Sequence, residues 1–217
     1  MATNIADYVN QVRQDLEGPN PPASIWSDAD LQRHVQHAVR EYTIWKPQEV
    51  LEQGMTLTPG SRNLALAPLP NLIRVLAVEY PVGNWPVTYV QFQVFGGTLT
   101  LSLDGAPLGT DPLNVNLYCL ERHSVSAIAC SIDPADDEAI IAGAVHFAAG
   151  EYAFKTAGMV HVAGPNTWLR YRDLALDKAA EFRGYLQIIR GKLTPQRAYA
   201  PQEPRQSRFL VEAPWRD

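Results

Sequence analysis

The stretch IDPADDEAIIAGAVHFAAGEYAFKTAG, residues 132–158, constrains the fold more than any other part of the chain. Asp133 can cap a helix whose first position is Pro134, a place that tolerates proline because the first N–H groups of a helix have no partner within it. Acidic residues fill the first turn, beside the positive end of the helix dipole. Small residues follow on much of the helix surface: Ala142, Gly143, Ala144, Ala148, Ala149 and Gly150. Because small side chains let another helix approach closely, the sequence predicts a helix over 134–157 at the centre of the core.

Three further segments have the apolar periodicity of helices. They are residues 4–16, capped by Thr3 or Asn4; residues 27–46, capped by Ser27 and ended by Pro47; and residues 167–190, which follow Pro165 and Asn166. The sequence therefore predicts about four helices in a bundle.

Between residues 50 and 132 the pattern changes to short alternating runs, which are typical of strands. The runs 89–95 and 98–103 are joined by Gly96-Gly97, and a two-residue glycine link between alternating runs indicates a hairpin. In the first run Val90, Phe92 and Val94 form an apolar face. The predicted fold class is α+β: a helical bundle with a small antiparallel sheet inserted between its helices and an extended C-terminal tail.

We expect two domains along the chain. Residues 1–191 form one domain that holds the helices and the β insertion. Residues 192–217, called here the C-terminal segment, hold Pro195, Pro201, Pro204 and Pro214, which forbid a helix of useful length. This segment is therefore predicted to be extended.

Composition excludes several classes of protein. A net charge of -5 argues against a nucleic-acid binder of the usual basic type, which must neutralise many phosphates. The two cysteines are too few for a disulfide framework and indicate free thiols in a reducing compartment. No stretch approaches the ~20 apolar residues of a membrane span, and the N-terminus lacks the charged and apolar regions of a signal peptide. We expect synthesis in the cytoplasm.

The chain contains few residues in the patterns of catalytic or metal-binding sites. His34, His37 and Glu41 share one side of the second helix, but no further metal ligand is recognisable, and a solvated polar helix face explains them better. Cys119 with His123 has the form of a nucleophile and its base, although Cys119 falls in a predicted strand. The acids at 133, 136, 137 and 138 are explained by a helix start, and His146 by a half-buried core position. We therefore expect no enzyme, no cofactor and no metal.

The C-terminal segment holds the residues that we predict to bind a partner. Arg, Tyr and Trp are enriched at interface hot spots, and a segment stiffened by proline loses less entropy when it docks. The predicted partner-binding residues are Arg197, Tyr199, Arg205, Arg208, Phe209, Leu210, Val211 and Trp215.

The order of these elements resembles the head-to-tail connector, or adaptor, proteins of tailed bacteriophages. The stretches that carry the resemblance are WSDADLQRHVQHAVREY (26–42), the β insertion, IDPADDEAIIAGAVHFAAGEYA (132–153) and WLRYRDLALDKAAEFRGYL (168–186). They cover nearly the whole chain, but each is a packing pattern and none is a catalytic signature. The central β region is longer than in an all-helical member.

The resemblance implies a structural virion protein of the neck without enzymatic activity. Such proteins form a twelve-copy ring that joins the portal protein to a downstream neck or tail protein. The C-terminal segment would dock on the portal, and DNA would pass through the channel without being held. A negative net charge suits a channel wall that does not hold DNA.

Two alternatives stay open from the sequence alone. One is another neck or tail-completion protein of the virion, such as a stopper or a tail terminator, although a stopper has the pattern of a small β-barrel with little helix. The other is an enzyme of unrecognised type.

Overall fold

The computed structural model describes residues 4–18, 24–157 and 166–192. Its helices are α1 (Ile5–Glu17), α2 (Asp28–Trp45), α3 (Asp137–Thr156) and α4 (Thr167–Lys192), with a 3-10 turn, Pro134–Asp136, before α3. Its strands are β1 (Gln48–Thr56), β2 (Asn63–Ala65), β3 (Leu72–Glu79), β4 (Phe92–Phe95), β5 (Thr98–Leu101) and β6 (Asn114–Glu121). The predicted α+β fold class is confirmed: four helices accompany two small three-stranded sheets.

The chain folds into two compact units. Among the described residues, the helical unit comprises 4–18, 24–51, 69–75, 119–157 and 166–192, and the β unit comprises 52–68 and 76–118. All four helices belong to the helical unit, and the complete β2–β5–β4 sheet belongs to the β unit. The boundary predicted at residue 191 stays a prediction, because residues 193–217 lie outside the described residues.

The predicted central position of α3 is confirmed. The helix packs against α1, α2 and α4, and its alanines and Gly143 are buried. A Cβ added at Gly143 would lie 3.0 Å from Ala38 Cβ of α2 and 3.0 Å from Phe182 Cζ of α4. The small residues therefore let two helices meet α3 at the same level.

The helix starts follow the capping rules. Asn4 caps α1, where its side chain accepts from the N–H of Asp7 while the Asp7 carboxylate accepts from the N–H of Asn4. Ser27 caps α2 and accepts from the N–H of Asp30, as predicted. Asp133 accepts from the N–H of Ala135, so it caps the 3-10 turn that precedes α3 rather than α3 itself.

The β unit contains the predicted glycine hairpin. β4 and β5 pair antiparallel with Phe95 opposite Thr98, and Gly96 and Gly97 have positive φ values of 55° and 75°. Two consecutive positive φ values are the requirement of the tightest hairpin turn, which glycine meets without strain. β2 pairs with the other side of β5, giving the order β2–β5–β4, while the second sheet has the order β1–β6–β3.

One strand was not predicted from the sequence. β1 has no buried residue, and its polar sequence QEVLEQGMT lacks the apolar alternation of a half-buried strand. It lies at one edge of its sheet, and from Gln48 to Gln53 half-buried residues alternate with exposed ones.

Candidate interaction surfaces

One of the two histidines of α2 does not lie on the solvated polar face that the sequence predicts. His34 is buried, with only 4 % of its surface exposed, and its Nε2 lies 3.3 Å from Glu151 Oε2 of α3. Burial lowers the pKa of His34, which favours a neutral ring. His37 is exposed and stacks on Phe147 with ring centroids 3.9 Å apart. The interpretation of His34 as a solvated residue was wrong, because its position beside the stripe of Val35 and Ala38 turns it toward α3.

The other candidate histidines have structural partners. His123 Nε2 lies 2.9 Å from the Lys46 carbonyl oxygen, and its Nδ1 lies 3.0 Å from the Ser131 carbonyl oxygen. His146 is half-buried, as predicted, and its Nδ1 lies 2.8 Å from the Ala175 carbonyl oxygen. These contacts join neighbouring segments of the helical unit, and burial lowers the pKa of His123.

The acids at the start of α3 are used to hold the bundle together. Asp136 is buried and accepts hydrogen bonds from Tyr42 OH and Lys46 Nζ, both at 2.7 Å. Burial, and then the hydrogen bond to Asp136, raises the pKa of Tyr42 and keeps its hydroxyl a donor. Tyr8 OH donates to Asp137. Within the described residues, no group of three or more His, Cys, Asp or Glu side chains is arranged to hold a metal ion.

A concavity of about 380 Å³ lies on the β unit. Its lining residues are Arg62, Gln93, Thr100, Leu101, Ser102, Leu103 and Asp104. The lining contains neither His nor Cys, and its charged residues are Arg62 and Asp104.

The predicted partner-binding residues lie outside the described residues. Arg197, Tyr199, Arg205, Arg208, Phe209, Leu210, Val211 and Trp215 all belong to the range 193–217. Their role stays a prediction from the sequence.

The described part of the β unit is unusually poor in charge. Its charged residues are Glu52, Arg62, Glu79, Asp104 and Asp111, and no charge occurs from Tyr80 to Leu103. Surfaces that remain in water usually carry a quarter or more of charged side chains, whereas the centres of protein interfaces are depleted in them. This composition is typical of a surface that becomes covered.

A loop of the β unit presents an exposed tryptophan. The loop, residues 81–88, is closed at its base by hydrogen bonds from Tyr80 N to the Thr88 oxygen and from Val90 N to the Val78 oxygen. Trp85 lies in this loop with 92 % of its surface exposed. We call residues 81–88 the Trp85 loop.

A buried carboxylate holds the Trp85 loop to its sheet. Glu79 is buried, accepts from Asn116 Nδ2 at 2.9 Å, and accepts from the N–H of Gly83 in the loop at 3.3 Å. At the base, Tyr89 packs edge to face on Tyr118, with centroids 5.6 Å apart, and burial raises the pKa of Tyr118 to about 12. The loop is therefore fixed in place before a partner arrives, which lowers the entropy cost of binding through Trp85.

A second exposed aromatic residue ends the hairpin of the same unit. Phe95 is 90 % exposed beside the Gly96–Gly97 turn, and Val94 is 48 % exposed on β4. Aromatic side chains exposed to this extent are among the residues enriched in interface centres.

The outward face of α4 is mixed in charge and polarity. The exposed residues on this face include Leu176, Asp177 and Arg183. Leu176 and Arg183 are separated by about two helical turns. The opposite face of the helix, with Ala175, Phe182 and Ile189, is buried in the helical core. The outward face therefore exposes both apolar and charged groups.

Chains of solved structures that are similar to this chain include two from gene transfer agent particles. One is a chain in the neck of an empty gene transfer agent (GTA) particle computed with C6 symmetry, at 14 % identity and a TM-score of 0.31, covering 78 % of this chain and 86 % of that one. The other is a chain in the virion of a native gene transfer agent particle, at 15 % identity and a TM-score of 0.29, covering 78 % and 87 %. At this identity and TM-score the likeness fixes neither the fold nor the function of the chain.

No family model matches the chain, and the comparison with curated proteins finds no match. Among the described residues, no helix is both long and apolar enough to cross a bilayer.

Proposed function

We propose that the chain is a structural subunit of a phage-like virion, where it acts as the neck adaptor between the portal and the tail. Copies form a ring, which the sequence resemblance implies to have twelve members, and DNA passes through its channel. The C-terminal segment binds the portal protein, and another face of the ring binds the downstream neck or tail protein. The protein performs no catalysis and uses no cofactor or metal.

The observation that carries this proposal is the surface of the β unit. It combines an absence of charge from Tyr80 to Leu103 with the anchored Trp85 and the exposed Phe95. Depletion of charge and enrichment in aromatic side chains are typical of the centres of protein interfaces. A subunit of a large assembly gains binding energy when the same surface is covered.

The order of elements supports the adaptor role in particular. The capped helix α2, the β insertion, the small-residue helix α3 and the long helix α4 occur in the order on which the resemblance to connector proteins rests. A net charge of -5 also suits a channel wall that does not retain DNA. A strongly basic lumen in an assembled ring would contradict that part of the proposal.

A genetic experiment tests the adaptor role. Without this chain, filled or emptied heads and separate tails should accumulate, because the protein that connects head and tail is missing. Supplying the full chain should restore joined particles, whereas supplying a chain that ends at Gly191 should not. Normal joined particles in the absence of the chain would contradict the proposal, and joined particles with abnormal tail length would favour a tail terminator.

A further inference from the structure

The β2–β5–β4 sheet has two open edges. β5 lies in the middle, so the outer edges of β2 (Asn63–Ala65) and β4 (Phe92–Phe95) pair with no other strand in the part of the chain that the structure describes. The chain just before β4 is paired with β3, through the bond from Val90 N to the Val78 oxygen. Proteins usually protect such edges with charges or prolines. Residues 89–103, which include β4, contain neither, whereas Arg62 directly precedes β2. The edge of β4 is therefore an unprotected template for another strand.

The backbone of β4 directs bonding groups outward at Val94. In an antiparallel pair the residues alternate between those that bond to the partner strand and those that face away. The Gln91 oxygen accepts from Ser102 N at 2.8 Å, so Gln91, Gln93 and Phe95 bond inward toward β5. Val94 therefore points its N–H and C=O groups away from the sheet.

In β2 it is the two end residues, and not the central one, whose N–H and C=O groups face away from β5. The Arg62 oxygen accepts from Leu101 N, and Leu66 N donates to the Gly97 oxygen, both at 2.9 Å. The residues between them alternate, so Asn63 and Ala65 direct their bonding groups outward and Leu64 does not.

The outward-facing backbone groups of β4 in one copy of the chain can bond to those of β2 in a second copy. β2 and β4 are both antiparallel to β5, so they run parallel to one another. In a parallel ladder an outward-facing residue bonds to the two residues that flank its opposite neighbour. Val94 of one copy would therefore bond to Asn63 and Ala65 of a second copy and lie opposite its Leu64.

The side chains match in the same register. Leu64, Leu99 and Val94 form one apolar row across the sheet, buried at Leu64 and Leu99 but half exposed at Val94. Leu64 of a second copy would extend this row and cover Val94.

The opposite face of the sheet also continues in this register. Asn63, Thr100 and Gln93 form a polar row, in which Thr100 Oγ1 donates to Asn63 Oδ1 at 2.8 Å. Gln93 would then meet the amide of Asn63 in the second copy. The exposed ring of Phe95 would lie over the small Ala65 of that copy.

We infer that the outer edge of β4 binds the outer edge of β2 in a second copy of this chain, with Val94 opposite Leu64. The contact joins two different patches, so its repetition builds a closed ring or an open helix rather than a two-fold dimer. The inference deepens the proposed function by naming the contact between neighbouring subunits, and it rests on that function for the closure of the ring.

Oxidative cross-linking of the purified full chain tests the register directly. The double variant Asn63→Cys with Gln93→Cys places two thiols in adjacent strands of neighbouring copies. Within one copy β5 separates the two positions by about 9.6 Å, two strand spacings, which is too far for a disulfide. The expected result is a ladder of dimers, trimers and larger species from the double variant over a series of protein concentrations. Each single variant and the parent chain, which keeps the buried Cys119 and the half-buried Cys130, should stay unlinked.

Two results of this experiment would overturn the inference. Dimers from Gln93→Cys alone would show that β4 pairs with β4 in a two-fold dimer. A double variant that stays unlinked and monomeric at every concentration would show that the two edges do not meet.

A charged substitution gives an independent readout. Val94→Lys places an ammonium group in the apolar row and should remove all species above the monomer in mass photometry and light scattering, with unchanged circular dichroism. Ile73→Lys is the matched control, because Ile73 lies on an edge strand of the other sheet and is exposed to the same degree, 49 % against 48 %. Equal assembly of Val94→Lys and the parent chain would overturn the inference.

The edge contact and the adaptor role can be tested separately. Cross-linked ladders from a chain that is absent from virions would support the edge contact and reject the neck assignment. Joined virions that depend on the chain, together with unlinked double variants, would support the neck assignment and reject the edge contact.

Discussion

Gly143 is the residue on which the packing of the helical unit depends most closely. Its hydrogen faces Ala38 Cβ and Phe182 Cζ, and a Cβ would lie 3.0 Å from each. Ala38 belongs to a helix backbone and cannot move away without moving α2, while the Phe182 ring is buried.

We predict that Gly143→Ala lowers the free energy of unfolding by about 1–3 kcal/mol, because overpacking exceeds the gain in helix propensity. Gly150→Ala is the matched control on the same helix, since its added Cβ would meet Ala175 Cβ at an ordinary 3.8 Å. This control should raise the free energy of unfolding by up to about 1 kcal/mol. Urea unfolding measures both, and equal effects of the two substitutions would contradict the account of α3 packing.

Two buried histidines make the stability of the protein depend on pH. Burial lowers the pKa values of His34 and His123 below the usual 6.5, so the unfolded chain binds protons more readily than the folded one. Their contribution is fully present above pH 6.5 and is lost as the pH falls below it. We predict a melting temperature that decreases from pH 7.5 to pH 5.5, with a shallower decrease for His34→Gln. A melting temperature that is constant or rises over this range would contradict the prediction.

The exposed tryptophan acts in binding and has no role in folding on this account. Trp85→Ala should change the free energy of unfolding by less than about 0.5 kcal/mol, because Trp85 is 92 % exposed. The same variant should fail to restore joined particles in the genetic experiment. Phe154→Ala, an exposed aromatic substitution on α3, is the control and should restore them. A destabilised Trp85→Ala, or one that restores joining fully, would remove the Trp85 loop from the proposed surface.

At the scale of elements, the start of α3 is joined to the end of α2 by one buried carboxylate. Asp136 accepts from Tyr42 and Lys46, whereas the exposed Asp133 lies 3.8 Å from the same Lys46 Nζ. The amide of Asn preserves the shape of the carboxylate at either position but removes its charge.

We predict that Asp136→Asn lowers the free energy of unfolding by about 1–3 kcal/mol, because charge-assisted hydrogen bonds are lost in a buried place. Asp133→Asn should change it by less than about 1 kcal/mol, since asparagine caps a helix as well as aspartate does and exposed ion pairs contribute little. Chemical denaturation of both variants gives the comparison. A larger loss from Asp133→Asn would show that the cap, and not the buried network, fixes the start of α3.

The elements differ in how far the sequence predicts them. Local signals were enough for the capped helices and for the Gly96–Gly97 hairpin, because caps and tight turns are formed by neighbouring residues. The partner of His34 could not be predicted, since Glu151 lies on another helix and only the packing of α3 brings it close. A better signal for the burial of His34 was its spacing of three from Leu31 and four from Ala38, which places it on the apolar stripe.

The sequence predicts the edges of the sheet only in part. The sequence shows the absence of charge in residues 80–103, but it does not show which strands lie at an edge. β1 was missed because a strand without a buried face lacks the alternation by which strands are recognised. The Trp85 loop was missed for a related reason, since a tryptophan in a sequence is more often buried than presented to solvent.

At the scale of the whole molecule, the C-terminal segment is expected to join the protein to its partner without contributing to the core. A chain that ends at Gly191 should keep the thermal transition of the full chain and remain soluble. It should no longer bind the portal protein, which a pull-down with the purified portal would measure. A collapse of the thermal transition would instead place the segment in the protein's own core.

The location of the chain in intact particles tests the central claim most directly. Immunogold electron microscopy with an antibody to this chain should place label at the junction between head and tail of the virions that contain it. Label along the tail, label over the shell, or intact virions without label would contradict the neck assignment.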